Sequence, residues 1–224
     1  MAKRILNMTA EEMTHATKSE LIEAIAGSEG RVLASETIGI TIPLLTDVTN
    51  AEFAASMGAD LILLNMFDVQ EPKIMALPEV EKEETVREVK RLTGRMVGIN
   101  LEPVEESYAS DNKETLWEMS AGRYATVENA IQAQKMGVDL IVLTGNPGNG
   151  VSNPAIISSL KAISEAVGEK IMLAAGKMHA SGIIGEGGEN IITKEDIRQF
   201  AEAGADIILL PAPGTVPGIT TEYV

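Results

Sequence analysis

The sequence predicts an α/β protein of the (β/α)8 TIM-barrel type, and three observations carry that prediction. First, three stretches repeat one pattern: "AASMGADLILLN" at 54–65, "AQKMGVDLIVLTG" at 133–145 and "AEAGADIILLPA" at 201–212. Each reads as the end of a helix, a glycine, an aspartate and an apolar strand. Second, the strands are continuous apolar runs such as Leu61-Ile62-Leu63-Leu64. Such runs fit parallel strands buried on both faces rather than half-solvated antiparallel ones. Third, the repeat returns after 79 and then 67 residues, and each interval holds two βα units. The rival is an open doubly wound sheet. That fold favours a Gly-x-Gly-x-x-Gly turn after its first strand, and "ETIGITIPLLTD" at 36–47 lacks one.

Taken in order, an N-terminal helical segment occupies 1–30, with a helix over roughly 10–26 opened by Thr9-x-x-Glu12. The barrel domain follows over 31–224. Its odd strands are "RVLASETI" (31–38), "RMVGINLE" (95–102) and "KIMLAAGK" (170–177), and the three repeated runs supply the even ones. Gly58, Gly137 and Gly204 suit the left-handed position that ends a helix. Helices fall on "NAEFAASM", "KEETVREVKRLTG", "TVENAIQAQKM", "NPAIISSLKAISEAVG" and "TKEDIRQFAEAG". The fourth of these reads with Asn153 as N-cap and Pro154 at the first helical position, and the fifth with Thr193 and Asp196 as its capping pair. Six strands are two short of a barrel, so the last two βα units are expected to be absent from this chain. Open sheet edges drive association, so a homo-oligomer or a truncated product is expected.

The net charge is −15, from 33 acidic and 18 basic residues, which disfavours nucleic acid and anionic membrane as partners. There is no cysteine, so disulfides and thiolate chemistry are excluded. No apolar run approaches the ~20 residues that span a bilayer, and no apolar leader opens the chain, so a cytoplasmic protein is expected.

Barrel enzymes place their sites at the C-terminal strand ends. Those ends carry Glu36, Asn65 with Asp68 beyond it, Asn100 and Glu102, Thr144-Gly145-Asn146, Lys177 and His179, and then Gly214 and Thr215. Alternation puts Gly98, Asn100 and Glu102 on one face, Ala34 with Glu36, and Ala175 with Lys177, small residues lying beneath polar tips. Lys177 is expected to hold an anion, or to pair with Glu36 and Glu102, or to serve as a Schiff-base nucleophile. Glu102 or His179 is the candidate for proton transfer. Glu36 and Asp68, with Glu102 near them, are candidate oxygen ligands for Mg²⁺. The loop "TGNPGNGVSNPA" offers the backbone of Gly145, Gly148 and Gly150 to a phosphate or carboxylate, or is an ordinary tight turn. Two further loops read as lids: "ASGIIGEGGEN" (180–190), and the stretch from Pro103 to Tyr124 with Trp117 and Tyr108.

"TGNPGNGVSNP", "AAGKMHASG" and "GADIILLPAPGTVPGIT" together resemble a bacterial TIM-barrel family labelled phosphoenolpyruvate phosphonomutase-like, and also haloacid dehalogenase-like hydrolase. The resemblance covers the whole chain and implies a barrel and a metabolic enzyme. The hydrolase label finds no support, since that chemistry needs an Asp-x-Asp pair and the sequence has none. The expected function is an enzyme on a small phosphorylated or carboxylated metabolite, as lyase, mutase or isomerase. The alternatives are a non-catalytic ligand-binding or regulatory barrel, and a structural subunit completed by another chain.

Overall fold

The computed structural model describes residues 3–105, 119–145, 150–176, 192–214 and 220–222. Six strands form one parallel sheet in the order of the chain: β1 (Ala34–Ile38), β2 (Leu61–Asn65), β3 (Met96–Leu101), β4 (Leu140–Leu143), β5 (Met172–Gly176) and β6 (Ile207–Leu209). A doubly wound sheet reverses its strand order at a switch point. This one never reverses, so the barrel type holds and the rival fold is excluded. Both edges are open among the described residues, since β1 pairs with β2 alone and β6 with β5 alone. Burial follows from that. Every residue of β3, β4 and β5 is buried, β6 is half-buried, and β1 leaves Ala34 and Glu36 exposed. The loop beyond β1 carries Ile42 and Leu44, 85% and 72% exposed.

The helices are α1 (Ala10–His15), α2 (Lys18–Gly27), α3 (Asn50–Ser56), α4 (Thr85–Thr93), α5 (Val127–Met136), α6 (Asn153–Val167) and α7 (Lys194–Glu202). The single helix expected over 10–26 is two. Ala16 is extended, and Thr17 opens a second capping box with Glu20, as Thr9 does with Glu12. A threonine that satisfies free N–H groups starts a new helix wherever the backbone has been released. Thr193 and Asp196 form the capping box that the sequence foretells. At α6 the cap is Ser152, whose hydroxyl accepts from the Ala155 N–H, and not Asn153.

The repeated Gly-x-Asp has a mechanical role. Gly58, Gly137 and Gly204 all take positive φ, at 102°, 86° and 106°. The turn they make returns the chain so that the aspartate two residues on reaches back to the preceding strand. Asp60 accepts the Leu33 N–H at 2.9 Å, Asp139 the Val97 N–H at 2.9 Å and Asp206 the Leu173 N–H at 2.8 Å. In return each aspartate N–H donates to the carbonyl of the same residue. These staples join β1 to β2, β3 to β4 and β5 to β6, so the sheet is three (βα)2 units side by side. Two staples carry a lysine as well: Lys90 of α4 pairs with Asp139, and Lys18 of α2 with Asp206, both at 2.7 Å.

The two faces of the sheet have different cores. Ile62, Leu64, Val97, Ile99, Ile141, Leu143, Leu173 and Ala175 pack under the connecting helices α3 to α7. On the opposite, inner face Leu61, Leu63, Met96, Leu140, Val142, Met172 and Ala174 meet Ile5, Met13, Leu21 and Ala24 from the N-terminal segment. The segment thus covers the inner face at the end where the strands begin. No helix among the described residues is long and apolar enough to cross a membrane.

Candidate functional site

The inner face changes character along the strands. Its beginning is apolar and covered by α1 and α2, and its C-terminal end is polar. Register fixes this: Glu36 lies opposite Leu63, and Asn100 opposite Val142, both inner-face residues. Asn65 continues the Leu61–Leu63 alternation and donates from Nδ2 to Glu36 Oε1 at 2.6 Å, which binds the tips of β1 and β2 together. Asn65 Oδ1 accepts the N–H of Met66, a non-glycine residue at φ 56°. Left-handed backbone at a methionine costs on the order of 1–3 kcal/mol and tends to gather at working sites. Asn100 donates to the Thr144 carbonyl at 3.2 Å, tying β3 to β4, and Asn100, Glu102 and Thr144 are all buried.

Glu102 is held from several sides. Its Oε1 is paired with Nη2 of Arg123, and both side chains are largely buried. Its N–H donates to the Arg123 carbonyl at 2.9 Å, and its carbonyl accepts from Ala125 at 3.0 Å. Gly145 lies beside it: a Cβ there would stand 3.6 Å from Glu102 Cγ and only 2.6 Å from Val151 Cγ2, so a larger residue at the tip of β4 would force Val151 to shift. Gly150 and Gly214 take positive φ, at 79° and 80°, in the turns after β4 and β6.

Asp68 anchors the same region from β2. Its Oδ1 accepts the N–H groups of Gln70 and Glu71 at 2.7 and 3.0 Å. Burial is the largest single influence on its carboxyl and pushes the pKa up. The Ser120 hydroxyl, the two backbone N–H groups and the nearby Arg123 charge together outweigh it, so the pKa lies below the usual aspartate value.

Several expectations change here. Glu102 is paired with Arg123, a residue the sequence reading passed over although "AGRYAT" ends the long loop that it singles out. Glu36, Asp68 and Glu102 do not converge: among the described residues no group of three or more His, Asp or Glu side chains gathers that could hold a metal. Asp68 spends its oxygens on the backbone and Ser120, Glu102 spends one on Arg123 and Glu36 one on Asn65, so the three form no shared cage for Mg²⁺ among the described residues. Ala175 belongs to the helix-side core and not to the face on which the alternation places small residues beneath polar tips. Lys177 and His179 lie outside the described residues, as do Asn146, Gly148, Thr215, Tyr108, Trp117 and the loop at 180–190. A depression of about 480 Å³ lined by Val80, Glu81, Glu84, Arg87, Glu88 and Arg91 lies on the α4 surface; α4 is on the helix side of the sheet, away from these tips.

Comparison with known proteins agrees with the architecture. Phosphonopyruvate hydrolase superposes with a TM-score of 0.53 at 16% identity, over 96% of this chain and 67% of that one. 2,3-Dimethylmalate lyase, a PEP mutase/isocitrate lyase superfamily member, superposes with a TM-score of 0.51 at 13% identity, over 91% of this chain and 62% of that one. At such identities the likeness is one of fold, and the chain spans less than two thirds of the lyase's length. No curated protein matches the sequence. A family model does match residues 6–224, and the chain belongs to that family, described as a domain of unknown function (DUF7916).

Proposed function

We propose that the chain is an enzyme acting on a small phosphorylated or carboxylated metabolite, as a lyase, mutase or isomerase, at the C-terminal ends of its strands. One observation carries the reading. The inner face turns from apolar to polar along the strands and gathers Glu36, Asn65, Asn100, Glu102 and Thr144 at the end where barrel enzymes do their chemistry. Asn65, Asn100, Thr144, Gly145, Asn146, Gly148, Gly150, Gly214 and Thr215 supply amide, hydroxyl and backbone groups for the substrate. Lys177 supplies the positive charge for an anion. Glu102 or His179 moves the proton.

The fold relatives name the substrates to try first. Hydrolysis of phosphonopyruvate gives pyruvate and phosphate, and aldol-type cleavage of 2,3-dimethylmalate gives pyruvate and propionate. One coupled assay for pyruvate therefore covers C–P and C–C cleavage together. Release that Lys177→Ala and Glu102→Gln each reduce by at least about 100-fold supports the reading. Absence of turnover with either substrate, together with tight binding of one, favours a ligand-binding barrel, for which the structural ties on Asp68 and Glu102 speak. The edges of β1 and β6, open among the described residues, support association with another chain, and a monomer at all concentrations in sedimentation would count against it.

A further inference from the structure

The turn that ends the loop after β3 is bound to the polar end of the sheet far more firmly than a connecting segment needs to be. Val69 donates to the Gly122 carbonyl at 3.2 Å, and Glu102 to that of Arg123 at 2.9 Å. Asn129, at the start of α5, donates to the carbonyls of Ala121 and Tyr124 at 2.8 and 2.9 Å, and is itself held by Gln70 at 3.0 Å. Asp68 takes a hydrogen bond from Ser120 and feels the charge of Arg123. Gly122 sits so close that a Cβ would stand 1.7 Å from Asp68 Oδ1. The product of all these bonds is one orientation: the Arg123 guanidinium lies with Glu102 on one side and the Asp68 charge near it. Its charge is already matched, which makes it a poor receptor for a further anion. Glu102 in turn is confined between Arg123 and the Gly145–Val151 wall, with its carboxylate at the polar end of the inner face.

We propose that Arg123 is a positioning residue, which holds the Glu102 carboxylate in the one orientation from which it accepts a proton, from the substrate hydroxyl in C–C cleavage or from the attacking water in hydrolysis, and returns it to the carbon that the broken bond leaves. Asp68, Ser120 and Gly122 fix Arg123 in turn. The proposal rests on Glu102 as the base of the reaction proposed above. Arg123 forms no bond to the substrate and transfers nothing. A planar guanidinium fixes a carboxylate through a rigid fork, and a lysine supplies only a point charge.

The test compares wild type, Arg123→Lys and Arg123→Gln by pyruvate release from phosphonopyruvate and from 2,3-dimethylmalate, with crystal structures of each. Arg123→Gln is expected to lower kcat at least about 30-fold with KM changed less than about 3-fold, and Arg123→Lys to recover part of kcat. The acidic limb of the pH–rate profile, along which a general base loses its proton, stays in place for Lys and is lost or moved for Gln. In the Arg123→Gln crystal the Glu102 carboxylate leaves its wild-type position. Unchanged kcat in Arg123→Gln overturns the proposal, and so does a rise in KM alone, which would make Arg123 a substrate receptor. If the wild type releases no pyruvate, the reading of the reaction fails. The crystals then decide the positioning claim: an unmoved Glu102 carboxylate in Arg123→Gln refutes it, and a displaced one upholds it.

Discussion

Replacing Asp139 by asparagine separates the two duties of a staple. The carboxylate accepts the Val97 N–H at 2.9 Å and pairs with Lys90 at 2.7 Å, and the two side chains are only 11% and 8% exposed. An amide oxygen can still accept the backbone bond, so Asp139→Asn removes the charge and little else. Lys90 is then left buried, with the Gly137 carbonyl at 3.3 Å as its remaining partner. Removing one member of a buried pair costs roughly 3–5 kcal/mol, because the other charge is left uncompensated. We expect about 3 kcal/mol for Asp139→Asn, measured by urea unfolding with linear extrapolation. The pair itself contributes little. Taking both charges out of water offsets most of their attraction. The double variant Lys90→Met/Asp139→Asn should therefore return to within about 1 kcal/mol of wild type, or exceed it. Asp60 makes the same backbone bond with no cation paired to it among the described residues, so Asp60→Asn should cost less than about 1 kcal/mol. The reasoning fails if Asp139→Asn is as mild as Asp60→Asn, or if the double variant is as unstable as the single one.

Asp68 carries a pH dependence of its own. Its lowered pKa contributes stability present above about 3.8 and lost as pH falls through the folded value, so the deficit of Asp68→Asn should be clear near neutrality and shrink in acid; a pH-independent deficit would contradict the hydrogen bonds assigned to it. Gly122→Ala forces a methyl group to within 1.7 Å of Asp68 Oδ1 and 2.8 Å of the Gln70 nitrogen, and should cost about 1–3 kcal/mol in chemical denaturation; a neutral effect would mean that the 120–123 turn is not held as described.

The architecture was legible in the sequence because its signals are local. A glycine three residues before an apolar run marks a helix end and a strand start, and three copies at nearly regular intervals mark a repeated unit. All six strands and the five connecting helices lie where those signals place them. The count of six was legible too, and the exposed residues of β1 follow from it. The break at Ala16–Thr17 was hidden, because an apolar period running through both helices masks a second capping box. Of the candidate site, Glu36, Asn65, Asn100, Glu102 and Thr144 were read from the strand ends, with period-2 alternation adding the facing of Glu36, Asn100 and Glu102, which is geometry that a sequence carries. The same alternation misplaced Ala175: it tells which residues share a face but not which face turns inward, and Ala175 turned out to lie under the helices.

The sequence by itself determined the βα alternation, the parallel strands, the helix caps and the set of polar residues at the strand tips, because each rests on interactions within a few neighbouring positions. Tertiary structure alone decided the partners. Asp139 with Lys90 lies 49 residues away in sequence, Lys18 with the Gly168 carbonyl 150, and Glu102 with Arg123 21. Whether a carboxylate at a strand tip serves as a free ligand, a salt-bridged anchor or a turn cap depends on which distant side chain the folded chain brings within 3 Å of it, and no local pattern encodes that distance.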